Sequence, residues 1–289
     1  MKWFFAFNQA SEHDYGDFVR CAVVSAREKT TLQAFCLYDG SSCQLTRWLE
    51  RQGVVILPAR FRFAHWWQEL AQRQNDPFVL QVAMGTFLRF ELPEILEREA
   101  ISDSYVLYTD CDMIFTRDAV ALLEPLKPHF FAVAPETYQE NRLHMNAGVM
   151  WMNSQTMRDE NARFMEFAGK HMKEASQSSF DQGIYRAYFD SLHKLAWQFK
   201  VPNRLFYAVM TRLQIKTWKW DDLPLELNWK PYWGENEDAA IIHFHGLKPT
   251  HRAQLVAKNI APSFAAMHTP AFDRYAAQWD EWLRKARAL

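Results

Sequence analysis

Nothing in this chain is apolar for long enough to cross a bilayer. A spanning helix needs roughly 20 consecutive apolar residues, and the runs here are interrupted well before that. The opening segment, MKWFFAFNQASEHD, is likewise too short an apolar run for a signal-peptide core. Both absences give a cytoplasmic expectation. Cysteine is scarce: Cys21, Cys36, Cys43 and Cys111 make no C-x-x-C pair for zinc and no dense disulfide pattern. Buried or free thiols in a reducing compartment are the expected state.

Charge excess is missing as well. There are 33 Lys and Arg against 34 Asp and Glu, so the basic imbalance that accompanies broad nucleic-acid binding is not there. No repeat, low-complexity tract or linker divides the chain. It reads as one domain over 1–250 with a C-terminal helical extension, 251–289, packed on it. Glycine numbers only 9, and FNQASEHDYGD, after the first expected strand, holds no Gly-rich phosphate loop. That disfavours a nucleotidyltransferase. Aromatic residues, by contrast, are plentiful: 12 are Trp. Most such rings fill cores, and some line sites that stack on rings or sugars.

Short apolar runs alternate with helix-like segments through the first half. Strands are expected over 3–7, 32–38, 54–57, 105–108, 130–134, 148–152 and 240–244. Helices are expected over 14–27, 45–51, 78–90, 93–99, 156–173, 181–188 and, amphipathically, 270–289. Such β-α-β-α alternation predicts an α/β fold with a largely parallel sheet and helices on its faces.

The run YVLYTDCDMIFTRD, 105–118, places Asp110 and Asp112 just after a buried strand. In open α/β sheets, ligands sit beyond the carboxyl ends of the strands. Two carboxylates one residue apart repel unless a divalent cation lies between them, and hard oxygen donors suit Mg²⁺ or Mn²⁺. The pair therefore suits a metal–diphosphate, although on this spacing alone a turn or cap is the better reading. IIHFHGLKP, 241–249, adds weight: His243 offers an imidazole, Gly246 lets backbone approach a phosphate, and Lys248 offers neutralising charge.

These segments resemble family 8 glycosyltransferases, the group of glycogenin and bacterial lipopolysaccharide galactosyltransferases. YVLYTDCDMIFTRD is similar to their strand-plus-D-x-D signature. MGTFLRFELPEIL resembles the helix ahead of it, with Arg89 in the place of the arginine that approaches the donor. HMNAGVMWMN resembles the N-A-G-V strand, with Asn146 near the donor sugar, and SFDQGIYRAYF carries the Asp-Gln pair as Asp181 and Gln182. LELNWKPYW and IIHFHGLKP resemble the closing segment that brings the third metal ligand. There are departures. Gly246 and Lys248 are one residue closer than in H-x-x-G-x-x-K-P-W, Thr250 stands for the tryptophan, His245 is an additional imidazole, and Gly183 and Tyr185 follow the Asp-Gln pair in place of the usual acidic residue and Asn.

The resemblance implies a GT-A (Rossmann-like) fold and a metal-dependent, retaining hexosyltransferase. Its donor would be a nucleotide-diphosphate sugar, specifically a UDP-sugar, with Mn²⁺ or Mg²⁺ held by Asp110, Asp112 and His243. Asn8 would contact the base. Asp39 is either a base or ribose contact or an ordinary turn aspartate. Arg89 and Lys248 would face the phosphates. Asp181 would hold the donor sugar's hydroxyls, while Gln182 would stabilise an oxocarbenium-like centre during front-face attack. The acceptor would be a saccharide, a lipid-linked saccharide or a protein, with Glu136 a candidate to orient its hydroxyl. The stretch KTWKWDDLPLELNWKPYW and the group His65-Trp66-Trp67 are candidates for stacking on sugar, against core packing. The tail WDEWLRKARAL reads as a helix packed on its own domain, or at most a peripheral membrane contact. A catalytically weak nucleotide-sugar-binding protein is the alternative to an enzyme.

Overall fold

Strand β1 (Lys2–Asn8) lies inside the main sheet with a strand on either side, and its sequence explains why. Trp3, Phe5 and Phe7 point into one hydrophobic core and Phe4 and Ala6 into another, the period of two that a strand buried on both faces requires. Its neighbour β2 (Gln33–Asp39) repeats the pattern, with Cys36 and Tyr38 on one side and Phe35 and Leu37 on the other. The computed structural model describes residues 1–75, 84–176, 180–199 and 216–289, with residues 205, 209, 212 and 213 between the last two spans.

The main sheet has the order β3-β2-β1-β4-β7-β6-β8. Its further strands are β3 (Val55–Pro58), β4 (Tyr105–Thr109), β6 (Phe131–Pro135), β7 (Met145–Asn153) and the two-residue β8 (Asp221–Asp222). Only β7 runs against its neighbours among them. The longer helices are α1 (Glu12–Lys29), α2 (Gln44–Arg51), α3 (Ala64–Gln74), α4 (Leu92–Arg98), α5 (Ser154–Lys170), α6 (Phe180–Phe189), α7 (Ser191–Gln198) and α8 (Pro270–Arg287). A mostly parallel sheet with helices on both faces is the expected architecture.

Several elements depart from expectation. Helix α3 was not foreseen, and its N-cap, Phe63, makes no side-chain capping bond, so the usual start signal is missing. Helix α7 was not foreseen either. The run Met113–Phe115, flagged only as apolar, is strand β5, paired antiparallel with β9 (Ile241–His243) in a separate two-stranded sheet. Of the helix expected over 78–90, residues 78–83 lie outside the described residues, 84–87 are helical, and Leu88–Glu91 forms a 3-10 turn.

Helix α8 lays one face on α1. Phe18 and Trp279 have ring centroids 5.2 Å apart, and Phe272, Tyr275, Trp279 and Trp282 are buried. Lys285 and Arg287 pair with Glu28 and Asp17. The aromatic face is therefore spent on packing within the protein. Among the described residues, no helix is long and apolar enough to cross a membrane.

Candidate active site

The strands that point one way deliver their last residues to one edge of the sheet. β1 and β2 end in register at Asn8 and Asp39, and β4 ends beside them at Thr109, just ahead of Asp110. A cleft opens there, lined by Ala6, Phe7, Ser11, Tyr15, Gly85, Thr86, Tyr108, Asp110, Cys111 and Asp112. Tyr15 and Cys111 were not singled out in the sequence. Tyr15 lies on the first turn of α1, where only its distance from a strand end could have marked it.

Asp112 and His243 are brought together by the small sheet. Met113 pairs with His243 across β5 and β9, and the Phe244 N–H donates to the Asp112 carbonyl at 3.0 Å. Asp110, Asp112 and His243 each present a ligand atom, all within 4.8 Å of one another. His243 Nε2 stands 3.4 Å from Asp112 Oδ1, which is buried yet accepts no hydrogen bond. A buried carboxylate oxygen left unsatisfied is costly, and a divalent cation would satisfy it. The donors, two carboxylates and one imidazole, fit Mn²⁺ or Mg²⁺.

Lys248 lies on the same carboxylate: its ammonium donates to Asp112 Oδ2 and, at 2.7 Å, to the Phe244 carbonyl. Burial alone would push the Asp112 carboxyl up. Lys248 and His243 outweigh burial and hold it well below the usual carboxylate range. Gly246 has a φ of +78°, and a Cβ there would collide with Met267 Sδ, so backbone conformation and packing both call for glycine.

Arg89 is 2% exposed. Its guanidinium lies 2.5 Å from Asp110 Oδ1 and 2.7 Å from Asp181 Oδ2, donates to the Ala147 carbonyl, and covers the Tyr108 ring. It braces the aspartate motif against the Asp-Gln pair, a role the sequence did not suggest. Burial outweighs Arg89 at Asp181, pushing that carboxyl up to about 6.

Asn146 and Gln182 meet at an irregularity in the sheet. β6 pairs Val133 with Met150 but Ala134 with Asn146, so residues 147–149 bulge out of that ladder. The Ala147 N–H donates to Gln182 Oε1 at 2.8 Å, and the Gly148 N–H to Asn146 Oδ1 at 3.2 Å. Gln182 Nε2 donates to Glu136 Oε1 at 2.7 Å, and Arg186 holds the other oxygen of that carboxylate. Glu136, placed by the end of β6, is thus tied directly to the Asp-Gln pair.

His245 is not part of the candidate metal group and engages Tyr232 and Glu136 instead. Its Nδ1 is 2.9 Å from the Tyr232 hydroxyl, its Nε2 is 3.9 Å from Glu136 Oε1, and burial holds its pKa well below the ordinary value. Asn8 accepts hydrogen bonds from the Ser11 N–H at 2.8 Å and the Ser11 hydroxyl at 2.5 Å, capping the turn before α1. Asp39 is half-buried, and burial raises its pKa. Trp67, Trp220 and Trp229 are buried in the core, as packing predicts for most of those aromatics.

No protein-family model matches the sequence, and no curated protein does at a significant level. Solved structures do match. The glycosyltransferase GlyE of Streptococcus pneumoniae TIGR4 aligns over 98% of this chain with a TM-score of 0.55 and 16% identity, and this chain spans 63% of GlyE. The galactosyltransferase LgtC, solved with donor and acceptor sugar analogues, aligns over 99% of this chain and 96% of its own, with a TM-score of 0.62 and 14% identity. At these identities what is shared is the fold, and the chain has the GT-A architecture: a mostly parallel α/β sheet flanked by helices.

Proposed function

We propose that this protein is a metal-dependent glycosyltransferase that moves a hexose from a UDP-sugar to a hydroxyl acceptor with retention of configuration. The observation that carries the reading is the convergence of Asp110, Asp112 and His243 at the carboxyl edge of a GT-A sheet. Fold likeness to GlyE and LgtC supports it, as do the segments that resemble family 8. Retention and the UDP-sugar rest on that resemblance.

In this reading Asp110, Asp112 and His243 hold Mn²⁺ or Mg²⁺. When bound, the ion supplies Lewis-acid stabilisation to a departing diphosphate. The cleft lined by Phe7, Ser11 and Tyr15, next to the strand ends at Asn8 and Asp39, takes the nucleoside. With Asp112 engaged by the ion, Lys248 would be free to place its charge on the phosphates. Arg89 acts indirectly, fixing Asp110 and Asp181.

Gln182 cannot serve as an ordinary nucleophile, because an amide is weakly nucleophilic. Its side chain is also fixed at both ends, by Ala147 and by Glu136. A rigid amide suits front-face attack: the acceptor hydroxyl enters on the side the diphosphate leaves, and its proton passes to the departing phosphate oxygen. The Gln182 dipole then faces developing positive charge at the sugar, Asp181 holds sugar hydroxyls, and Glu136 orients the acceptor.

The test is a panel of UDP-sugars, each incubated with Mn²⁺ or with EDTA, followed by release of UDP. Release from one sugar in Mn²⁺ alone is the expected result, and NMR of the product anomer then reads retention or inversion. Tight donor binding with no release on any acceptor would mark a binding protein that lacks turnover.

A further inference from the structure

The metal ligand His243 belongs to a buried chain of amides whose polarity can be worked out from its ends. His243 Nδ1 lies 2.9 Å from Asn228 Oδ1. Asn228 Nδ2 donates to Asn146 Oδ1 at 2.9 Å, and Asn146 Nδ2 donates to Gln182 Oε1 at 3.3 Å. Asn228 is 0% exposed.

An amide can be turned end for end in such a chain, so its direction has to be fixed from outside. Two backbone N–H groups fix it here. The Gly148 N–H needs an acceptor, which makes the Asn146 atom facing it an oxygen. The Ala147 N–H does the same for Gln182, and Glu136, an acceptor, requires the Gln182 nitrogen at the far end. Both N–H groups belong to the stretch of β7 that bulges out of the ladder with β6. With Asn146 so oriented, Asn228 must offer it a nitrogen and therefore turn its oxygen to His243. The hydrogen between Asn228 and His243 must then reside on Nδ1.

We propose that Asn228 is a positioning residue that fixes the hydrogen of His243 on Nδ1 and so reserves the Nε2 lone pair for the divalent cation. The inference rests on the metal reading above and deepens it. An imidazole that donates its other N–H to an oxygen is held in both tautomer and ring angle. Gly148 completes the arrangement, since a Cβ there would overlap the His243 ring. Nothing in the spacing of LELNWKPYW marks Asn228 for this task; it arises from contacts across 15 residues to His243 and 82 to Asn146.

Ring-¹⁵N spectra of histidine-labelled wild type saturated with Mg²⁺ test the tautomer directly, with His243 assigned by the signal lost in His243→Gln. A hydrogen on Nδ1 is expected, and a hydrogen on Nε2 overturns the proposal. Mn²⁺ affinity, read from free Mn²⁺ by electron paramagnetic resonance, gives the second arm. Asn228→Leu, which cannot accept the hydrogen, should lose about 10- to 100-fold in affinity. Asn228→Asp, which can, should stay within a few-fold of wild type. Equal loss in both, or no loss in a folded Asn228→Leu, contradicts the proposal. Asp112→Asn in the same titration separates the two levels: if it leaves Mn²⁺ binding unchanged, the metal reading itself has failed.

Discussion

The ammonium of Lys248 bonds the Asp112 carboxylate directly, and the Asp112 side chain is 10% exposed. One cation thus stands beside the oxygen that the proposed metal would claim. Removing one partner of a buried pair leaves an uncompensated charge, at about 3–5 kcal/mol. Lys248→Met should therefore lower the melting temperature of the metal-free protein. Added Mn²⁺ should then raise it by more than in wild type, because Mn²⁺ replaces a missing charge rather than competing with one. Differential scanning calorimetry with and without Mn²⁺ reads both shifts, and equal Mn²⁺ shifts in the two proteins would contradict the displacement of Lys248.

Arg89 is expected to matter for stability as much as for turnover. Arg89→Met removes the partner of Asp110 and of Asp181 at once and should cost on the order of 3–5 kcal/mol. Urea unfolding checks this. A stable Arg89→Met protein with impaired donor binding would instead favour the direct phosphate contact that the sequence suggested.

Gly148→Ala isolates the fit between β7 and His243. A Cβ there meets the ring and also comes within 2.9 Å of Asn146 Oδ1. The ring must rotate, and Mn²⁺ affinity should fall by at least about tenfold. Calorimetric titration of Mn²⁺ measures it, with circular dichroism to confirm an intact sheet.

Asp181 gives a pH signature. Its carboxyl is pushed from an ordinary 3.8 up to about 6, so between those values the folded protein holds a proton that the unfolded chain releases. This contribution is fully present below about pH 4 and is lost as pH rises to about 6. The loss amounts to about 3 kcal/mol. Asp181→Asn removes it, so wild-type stability relative to the variant should fall across that window. Urea unfolding of both proteins at pH 4, 5, 6 and 7 checks the sign.

Much of this architecture was legible because it is written in periodicity. β1 and β4 announce themselves as buried strands, and a carboxylate pair directly after a buried strand has few places to go in an α/β sheet. The amphipathic spacing of Phe272, Tyr275, Trp279 and Trp282 likewise gave α8. Helix α3 was missed because Phe63 supplies no cap and its tryptophans were weighed between sugar stacking and core packing rather than as a helix face. β5 is three residues long, too short to carry a period, and only its pairing with β9, a strand expected over 240–244, makes it one. Within the site, residue types pointed to Asp110, Asp112 and His243. The role of Arg89 as a brace, the partnership of Glu136 with Gln182 and the place of Asn228 are tertiary facts, set by a bulge and by chain crossings that no local pattern encodes.

The central claim is that Asp110 and Asp112 hold a metal against a nucleotide diphosphate. Calorimetric binding of UDP to wild type and to Asp112→Asn, each with Mn²⁺ and then with EDTA, tests it most directly. The account predicts tight UDP binding to wild type in Mn²⁺, and loss of that binding both in EDTA and in the variant. Equal UDP binding in all four titrations would contradict it and return the two aspartates to a structural role.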